Sequence, residues 1–534
     1  MKAHYDVVIL GGGLAGLALA IQLRQQFAAI EILVIERRTH PVPPAAHKVG
    51  ESSVEIGAHY FDTVLGLKEH LDRHQLRKFG FRFFFNEGRT DIDNVAELGA
   101  SRYLATPTYQ LDRGIFENFL GGHARSRGVQ FVDGAVVRDF DIGTNGAAHR
   151  VRFTQGEAGS EVECRWLIDA SGRAGLIKRK LGLAEDNAHD ANAVWFRLAA
   201  KVDVDEWSSD SAWLERCEPP LRWLSTNHLC GEGYWAWLIP LSSGSHSVGI
   251  VCDAKLHPLE TMNTFEKALE WFRAHQPRLA QDVESKQHLL QDFCFLRNFS
   301  YGCKQVFCGD RWALTGEAGL FLDPFYSPGS DFIAISNTYI TDLISRDRAG
   351  EPFSGRAHAY QQLYFSFYES TLSLYTDQYA IFGDPEVMPV KVIWDYTYYW
   401  GVLCQLFFQR RITDTANIAR LSVHLGHAQA LNLAMQKFMR EWSQLSPKRN
   451  DAIMLDQASL PWFAELNRGL RDQLDEEGFR ARIIEGVALL DTLASEIVAR
   501  ALQRCPQVDA SAVLQLLNEP TAAAASPLLF EDAA

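Results

Sequence analysis

The sequence predicts an α/β fold in three parts: a strand–helix–strand unit opening the chain, a β-rich insertion beside it, and a helical C-terminal region. Three observations predict it. Residues 5–10 (YDVVIL) form a β-branched run that ends in three consecutive glycines and passes into an alanine- and leucine-rich stretch. Between residues 100 and 250, strand-like and helix-like segments alternate. Beyond residue 340 apolar residues recur at helical spacing, as in 481–502 (ARIIEGVALLDTLASEIVARAL).

Each element follows from its residues. The run 5–10 reads as a buried parallel strand, because such strands are apolar on both faces. A helix is expected over 14–26 and a second strand over 30–36 (IEILVIE). Further strands are expected at 129–137 (VQFVDGAVV), at 149–155 (HRVRFTQ) and in the run 234–251, with a sheet built from about 80–110 and 185–300. Residues 1–345 are expected to form one module and 346–520 the helical region. The end, 521–534, reads as a frayed tail.

Composition narrows the function class. The 534 residues are 47% hydrophobic and 22% charged, enough for two or three globular domains. A net charge of −14 argues against nucleic acid as partner, since a phosphate backbone calls for a basic surface. The nine cysteines are odd in number and form no Cys-x-x-Cys pair, so neither a disulfide framework nor a metal site is expected, and a reducing, cytoplasmic setting follows. The first residues lack a signal-peptide layout. The most membrane-like stretch, 392–408 (VIWDYTYYWGVLCQLFF), is 17 residues long and interrupted by Asp395 and Gln405. It is expected to be a buried or pocket-lining helix rather than a membrane span.

The sharpest motif is Gly11-Gly12-Gly13-Leu14-Ala15-Gly16, a G-x-G-x-x-G between a strand and a helix, with Glu36 closing the next strand. Gly11 permits the tight turn. Gly13 lets the backbone approach a pyrophosphate at the helix N-terminus, where N–H groups and the dipole favour anions. Gly16 allows close helix–strand packing, and Glu36 can accept hydrogen bonds from ribose hydroxyls. The motif does not choose between dinucleotides.

Later segments do. Residues 167–173 (LIDASGR), Gly316-Glu317-Ala318 and Arg113 in YQLDR resemble, in chain order, the FAD-contacting parts of FAD-dependent monooxygenases and flavin-dependent halogenases. Three more narrow the resemblance to the halogenases: Lys48-Val49-Gly50-Glu51-Ser52, similar to the family's V-G-E-S stretch; Trp235-Ala236-Trp237-Leu238-Ile239-Pro240, which matches W-x-W-x-I-P; and Phe321-x-x-Pro324-x-x-Ser327-x-Gly329, similar to the halide loop. The resemblance covers residues 4 to 340. It implies that Gly11, Gly13, Leu14, Ala15, Gly16, Glu36, Lys48, Gly50, Glu51, Ser52, Arg113, Val137, Asp169, Gly316, Glu317, Pro324 and Gly329 contact FAD. It also implies that Ser327, Pro328 and Gly329 hold a halide ion. Glu317 stands where the family has Asp.

What the resemblance implies chemically is that FADH2 and O2 form a flavin hydroperoxide, which halide converts to hypohalous acid. That oxidant passes Trp235, Trp237 and Pro240 to a lysine, here Lys78 in RKFGFRFFF. The aromatic strand expected at 79–85, including Phe83, would form a pocket wall. Burial would lower the lysine pKa, as would the adjacent Arg77. Two departures matter. Tyr326 stands where tryptophan-type halogenases carry a glutamate, which favours a phenolic substrate, free or tethered to a carrier protein. Pro328 offers no backbone N–H to a halide. No second glycine-rich fingerprint appears, so a separate flavin reductase is expected as partner. A monooxygenase that does not halogenate and a noncatalytic FAD-binding partner of a biosynthetic complex are the competing readings.

Overall fold

A computed structural model describes all residues except 46–47, 49, 87, 451–452, 518–526 and 531–534. The chain forms two compact units that alternate along the sequence. One consists of Met1–Leu76, Leu111–Ala188 and Ser300–Glu369; the other of Arg77–Gln110, His189–Phe299 and Ser370–Ala534. A division near residue 345 is therefore not where the chain divides. The β-rich insertion and most of the helical region share the second unit.

In the first unit the central strand His4–Leu10 lies between Ile32–Ile35 and Ala158–Asp169, all parallel. Gln130–Val132 extends the sheet on one side, while Trp312–Leu314 pairs in parallel with Ala158–Asp169. Val7, Val8, Ile9 and Leu10 are fully buried, which explains the unbroken apolar run. The register aligns Leu10 with Ile35 and with Asp169, and Asp169 with Leu314. The carboxyl ends of four strands thus meet at one edge, where ligands bind in open parallel sheets. The helix Leu14–Gln26 has the expected bounds. The expected strand 129–137 is instead two, Gln130–Val132 and Ala135–Asp141, broken at Asp133-Gly134, where Gly134 has φ +65°.

The second unit holds an eight-stranded sheet in the order Leu290–Leu296, Ala191–Leu198, His246–Asp253, Tyr234–Pro240, Thr226–Gly231, Phe81–Phe85, Ala96–Gly99 and Met454–Asp456. Directly opposed residues share a face. On one face Phe84, Leu229, Ala236, Leu238, Val248, Ile250, Val194 and Phe196 pack with Trp271, Phe272 and Leu279 into a hydrophobic core. The opposite face follows from register: Phe83 opposes His228, His228 opposes Trp237, Trp237 opposes Gly249, and Gly249 opposes Trp195. That face is a row of aromatic rings.

The helical region is confirmed in outline. Val387–Tyr398, the π-turn Tyr399–Leu403 and Cys404–Phe408 are consecutive; the first and last of these segments are buried throughout, and the π-turn is buried at Trp400, Gly401 and Val402. The crossing with Glu476–Arg504 is tight, because a Cβ on Gly486 would come 2.5 Å from the Gly401 carbonyl oxygen. Two features depart from an all-helical region with a frayed end. Met454–Asp456 is a strand that pairs in parallel with Ala96–Gly99. Within the expected tail, Leu528 and Leu529 are buried and donate backbone hydrogen bonds to Glu496. Among the described residues no helix is long and apolar enough to cross a membrane.

Candidate active site

The glycine-rich turn in the first unit divides labour as its spacing predicts. Gly11 has φ +113°, and a Cβ there would sit 2.3 Å from the Ala170 carbonyl oxygen. A Cβ on Gly16 would sit 2.1 Å from the Gly11 carbonyl oxygen. Both glycines are required by the protein's own packing. Gly13 is different: it has ordinary extended backbone (φ −83°, ψ −169°), and the nearest atom to a Cβ there is Lys48 Nζ at 3.5 Å. Gly13 is bare on the side that faces a cation, at the N-terminus of a 13-residue helix, an arrangement that suits an anionic phosphate. Leu14 and Ala15 supply N–H groups of that first turn. Glu36 accepts hydrogen bonds from the Gly12 and Arg38 N–H groups (2.7 and 2.8 Å). Ala135 N–H donates to the Glu36 carbonyl (2.8 Å), and Val137, two residues on, pairs with Phe153.

A charged cluster stands next to the turn. Glu117 is buried and bonds both Lys48 and, at 2.7 Å, Arg113. Burial favours its neutral form, but Arg113 and Lys48 outweigh that and hold the carboxyl below the usual range. Lys48 is pulled below its ordinary value by burial, with Glu117 opposing. Arg113 also donates to the Gly50 carbonyl at 3.2 Å. Glu51 and Ser52 are buried, and the Glu51 carbonyl accepts from Leu111 N–H (2.6 Å). Val49 of that motif lies outside the described residues. Glu317 is raised above its ordinary value by burial, while Arg173, Arg113, Lys48 and Lys178 pull it down. The turn that carries it runs through Gly316 (φ +60°), whose Cβ would come 3.1 Å from that of Ala15. Four cations around one carboxylate next to a phosphate cradle suit a dinucleotide carrying a polar ring system. The residues present therefore fit FAD.

Asp169 is engaged by its own turn. Its carboxylate accepts from Ser171 N–H (3.0 Å), Ser171 hydroxyl (2.6 Å) and Ile177 N–H (2.7 Å). It fastens the turn after its strand and so shapes the loop at the carboxyl edge of the sheet.

The loop before the helix Gly329–Arg348 is strained. Tyr326 and Ser327 have φ +64° and +53°, a left-handed conformation that costs about 1 kcal/mol or more per non-glycine residue. Ser327 N–H donates to the Pro324 carbonyl (2.8 Å). Pro328 caps the helix and accepts from Asp331 and Phe332 N–H (3.0 and 3.1 Å), but has no N–H of its own. Asp331 is buried and accepts from Gly57 N–H at 2.8 Å, tying the loop to the helix Glu55–His59.

In the second unit, Lys78 is only 3% exposed. It is not on the aromatic strand, which is Phe81–Phe85 rather than 79–85, but in the connection just before it. Its N–H donates to the Thr108 carbonyl (2.9 Å), and Nζ lies 3.3 Å from the centre of the Phe81 ring. Arg77 is exposed and turned to Tyr103, 4.4 Å over its ring. On the aromatic face His228 stacks on Phe83 (4.6 Å, 21°) and lies 5.2 Å from both Phe81 and Trp235. Burial, and then the charge of Lys78, push the His228 imidazole down to about 3, so it is neutral. Trp235 and Trp237 are 5.7 Å apart; Trp235 Nε1 donates to Tyr379 Oη (3.0 Å) and Trp237 Nε1 to Ser247 Oγ (3.1 Å). Pro240 ends their strand.

Sequence reasoning missed His228, Tyr379, Tyr396, Lys178 and Tyr301. Tyr396 lies 6.2 Å from Phe81, Lys178 Nζ 3.8 Å over Tyr301, and Tyr301 hydroxyl donates to the Glu317 carbonyl (2.7 Å). Only His228 left a signal, as the polar residue opposite Trp237 once register is known.

A family model described as FAD binding domain matches residues 4–271. The chain is 25% identical over 466 residues to the flavin-dependent halogenase chlA of Dictyostelium discoideum, covering 78% of this chain and 74% of that one. It is 26% identical over 367 residues to a 1H-pyrrole-2-carbonyl peptidyl-carrier protein brominase of Pseudoalteromonas luteoviolacea, covering 67% and 81%. The solved structure of halogenase PltM with phloroglucinol and FAD has the same fold, with a TM-score of 0.65 at 16% identity over 93% of this chain and 96% of that one.

Proposed function

The chain belongs to the FAD-binding domain family, within it to the flavin-dependent halogenases, and from that membership we propose that it halogenates an electron-rich aromatic ring, a phenol in preference to free tryptophan. The observation that carries the reading is a lysine buried against an aromatic ring on the sheet face that bears Trp235 and Trp237. FAD, once bound and reduced, activates O2 as the oxidant that turns a halide ion into hypohalous acid.

The chain's own residues do the rest. The turn from Gly11 to Gly16, the helix N-terminus and Lys48 take the pyrophosphate, and Glu36 the ribose. Arg113, Arg173, Lys178 and Glu317 set the charge around the remainder of the cofactor. Ser327 and Gly329, with the backbone around Pro324 and Pro328, border the halide. The Lys78 amine meets the hypohalous acid: an N–halogen bond forms and water leaves. The halogen then passes to the ring carbon, and the ring proton returns to the amine. Rings on a dry, rigid wall keep the electrophile from water. Tyr326 supplies no carboxylate base, so the ring must be activated by its own substituent, as a phenol is. The substrate is free or held on a carrier protein; one relative's name specifies a carrier-bound pyrrole. FADH2 comes from a separate reductase. We assign it to the cytoplasm.

One observation favours a second reading. Pro328 withholds an N–H from the halide loop, and oxygenation without halogenation is what a lost halide site would leave. Incubation with a flavin reductase, FAD, bromide or chloride and a panel of phenols separates the two. Products bearing the isotope pattern of the halide supplied support halogenation; oxygenated, halogen-free products support the second reading.

A further inference from the structure

The tryptophan wall is held from outside its own sheet. Tyr379 belongs to the short turn Tyr379–Ile381, in the helical part of the second unit, where no motif is found. Its hydroxyl accepts the Trp235 indole N–H at 3.0 Å, and both side chains are buried. Its backbone carbonyl accepts from Gly233 N–H at 2.9 Å, in the hairpin that leads into the strand of Trp235. The ring itself is fixed: it stacks on Phe382 (4.6 Å, 24°) and lies 5.4 Å from His189. Gly383 closes the contact, since a Cβ there would come 3.0 Å from Glu232 N. A buried indole N–H needs an acceptor, and an acceptor fixed in space selects one indole rotamer. Trp237 has its own, on the neighbouring strand, in Ser247.

We propose that Tyr379 is a positioning residue of the halogenation reaction: through the Trp235 N–H it holds the indole in the rotamer that keeps flavin oxidation coupled to halogenation. The inference rests on the proposed function, in which Trp235 is part of the wall between oxidant and substrate. Removing the hydroxyl leaves the Tyr379 ring packed and frees the indole to turn, so oxidant is lost before it reaches the ring of the substrate.

The test is Tyr379→Phe, Trp235→Phe and the double variant, each loaded with FAD and assayed with a flavin reductase, bromide and resorcinol. The readout is brominated resorcinol per FADH2 oxidised, beside FAD affinity and the hydrogen-exchange rate of the Trp235 indole N–H in 15N-tryptophan-labelled wild type and Tyr379→Phe. Expected are unchanged FAD affinity, faster indole exchange in Tyr379→Phe, and a loss of coupling of roughly fivefold in each single variant. The double variant is then no worse than the poorer single one. Coupling at the wild-type level in Tyr379→Phe overturns the proposal, as do losses that multiply in the double variant. If the wild type yields no brominated product, the proposed function fails on its own account. The indole then decides whether Tyr379 holds Trp235: unchanged exchange in Tyr379→Phe overturns that contact, and faster exchange upholds it.

Discussion

Gly13→Ala separates a glycine kept for a ligand from glycines kept for the fold. At Gly13 the backbone suits alanine, and the nearest atom to the new methyl is Lys48 Nζ at an ordinary 3.5 Å. The flavin-free protein is therefore expected to keep its stability or gain about 0.5 kcal/mol from a stiffer unfolded chain. FAD meets that methyl where its pyrophosphate must approach. Losing two charge-assisted hydrogen bonds, at about 2 kcal/mol each, weakens binding roughly a thousandfold. Gly16→Ala is the control. Its methyl would stand 2.1 Å from the Gly11 carbonyl oxygen, a backbone atom that cannot swing away, so the flavin-free protein itself should lose about 2 kcal/mol or more. FAD affinity is read by fluorescence-quenching titration, and stability by urea unfolding without flavin. Wild-type FAD affinity in Gly13→Ala would refute the reasoning, and so would a Gly13→Ala protein as unstable as Gly16→Ala.

Three further outcomes follow from the same geometry. Glu117 is held below its ordinary pKa, so it adds stability above the unfolded glutamate value and loses it as pH falls through the folded one. Glu117→Gln should cost about 3 kcal/mol at neutral pH, by urea unfolding, and the gap to wild type should shrink in acid; a gap that widens contradicts the ion-pair account. Pro328→Ala supplies an N–H at the loop proposed to hold halide, and steady-state kinetics should show half-saturating bromide falling roughly fivefold; no change means that the N–H is not aimed at halide. Gly249→Ala would put a methyl 2.2 Å from the Trp237 indole, so calorimetry should show a lower melting temperature, by about 2 kcal/mol of stability, together with poorer coupling of flavin oxidation to product.

What could be read in advance divides along physical lines. The tight turn at Gly11 and the close packing at Gly16 were legible because they depend on neighbours in one βαβ unit, where spacing fixes geometry. Lys78 was named by resemblance alone, and nothing in RKFGFRFFF says that the lysine is buried and the adjacent arginine exposed. The bonding of Asp169 was not legible, because a carboxylate at the end of a strand can face outward or back into its own turn, and only the fold brings it the N–H groups of Ser171 and Ile177. His228 and Tyr379 were out of reach because their partners come from cross-strand register and from a turn 144 residues away in sequence. The boundary near 345 failed because the chain passes between its units repeatedly, and composition does not record which unit a segment joins.

The central claim, that the oxidant reaches the substrate through the buried lysine, is tested most directly by Lys78→Met loaded with FAD and supplied with reductase, bromide and resorcinol. A small halogen acceptor in solution captures any oxidant that escapes. The account predicts that FADH2 oxidation continues, while brominated resorcinol falls by about a hundredfold or more. Wild-type yields of brominated resorcinol from Lys78→Met would contradict it.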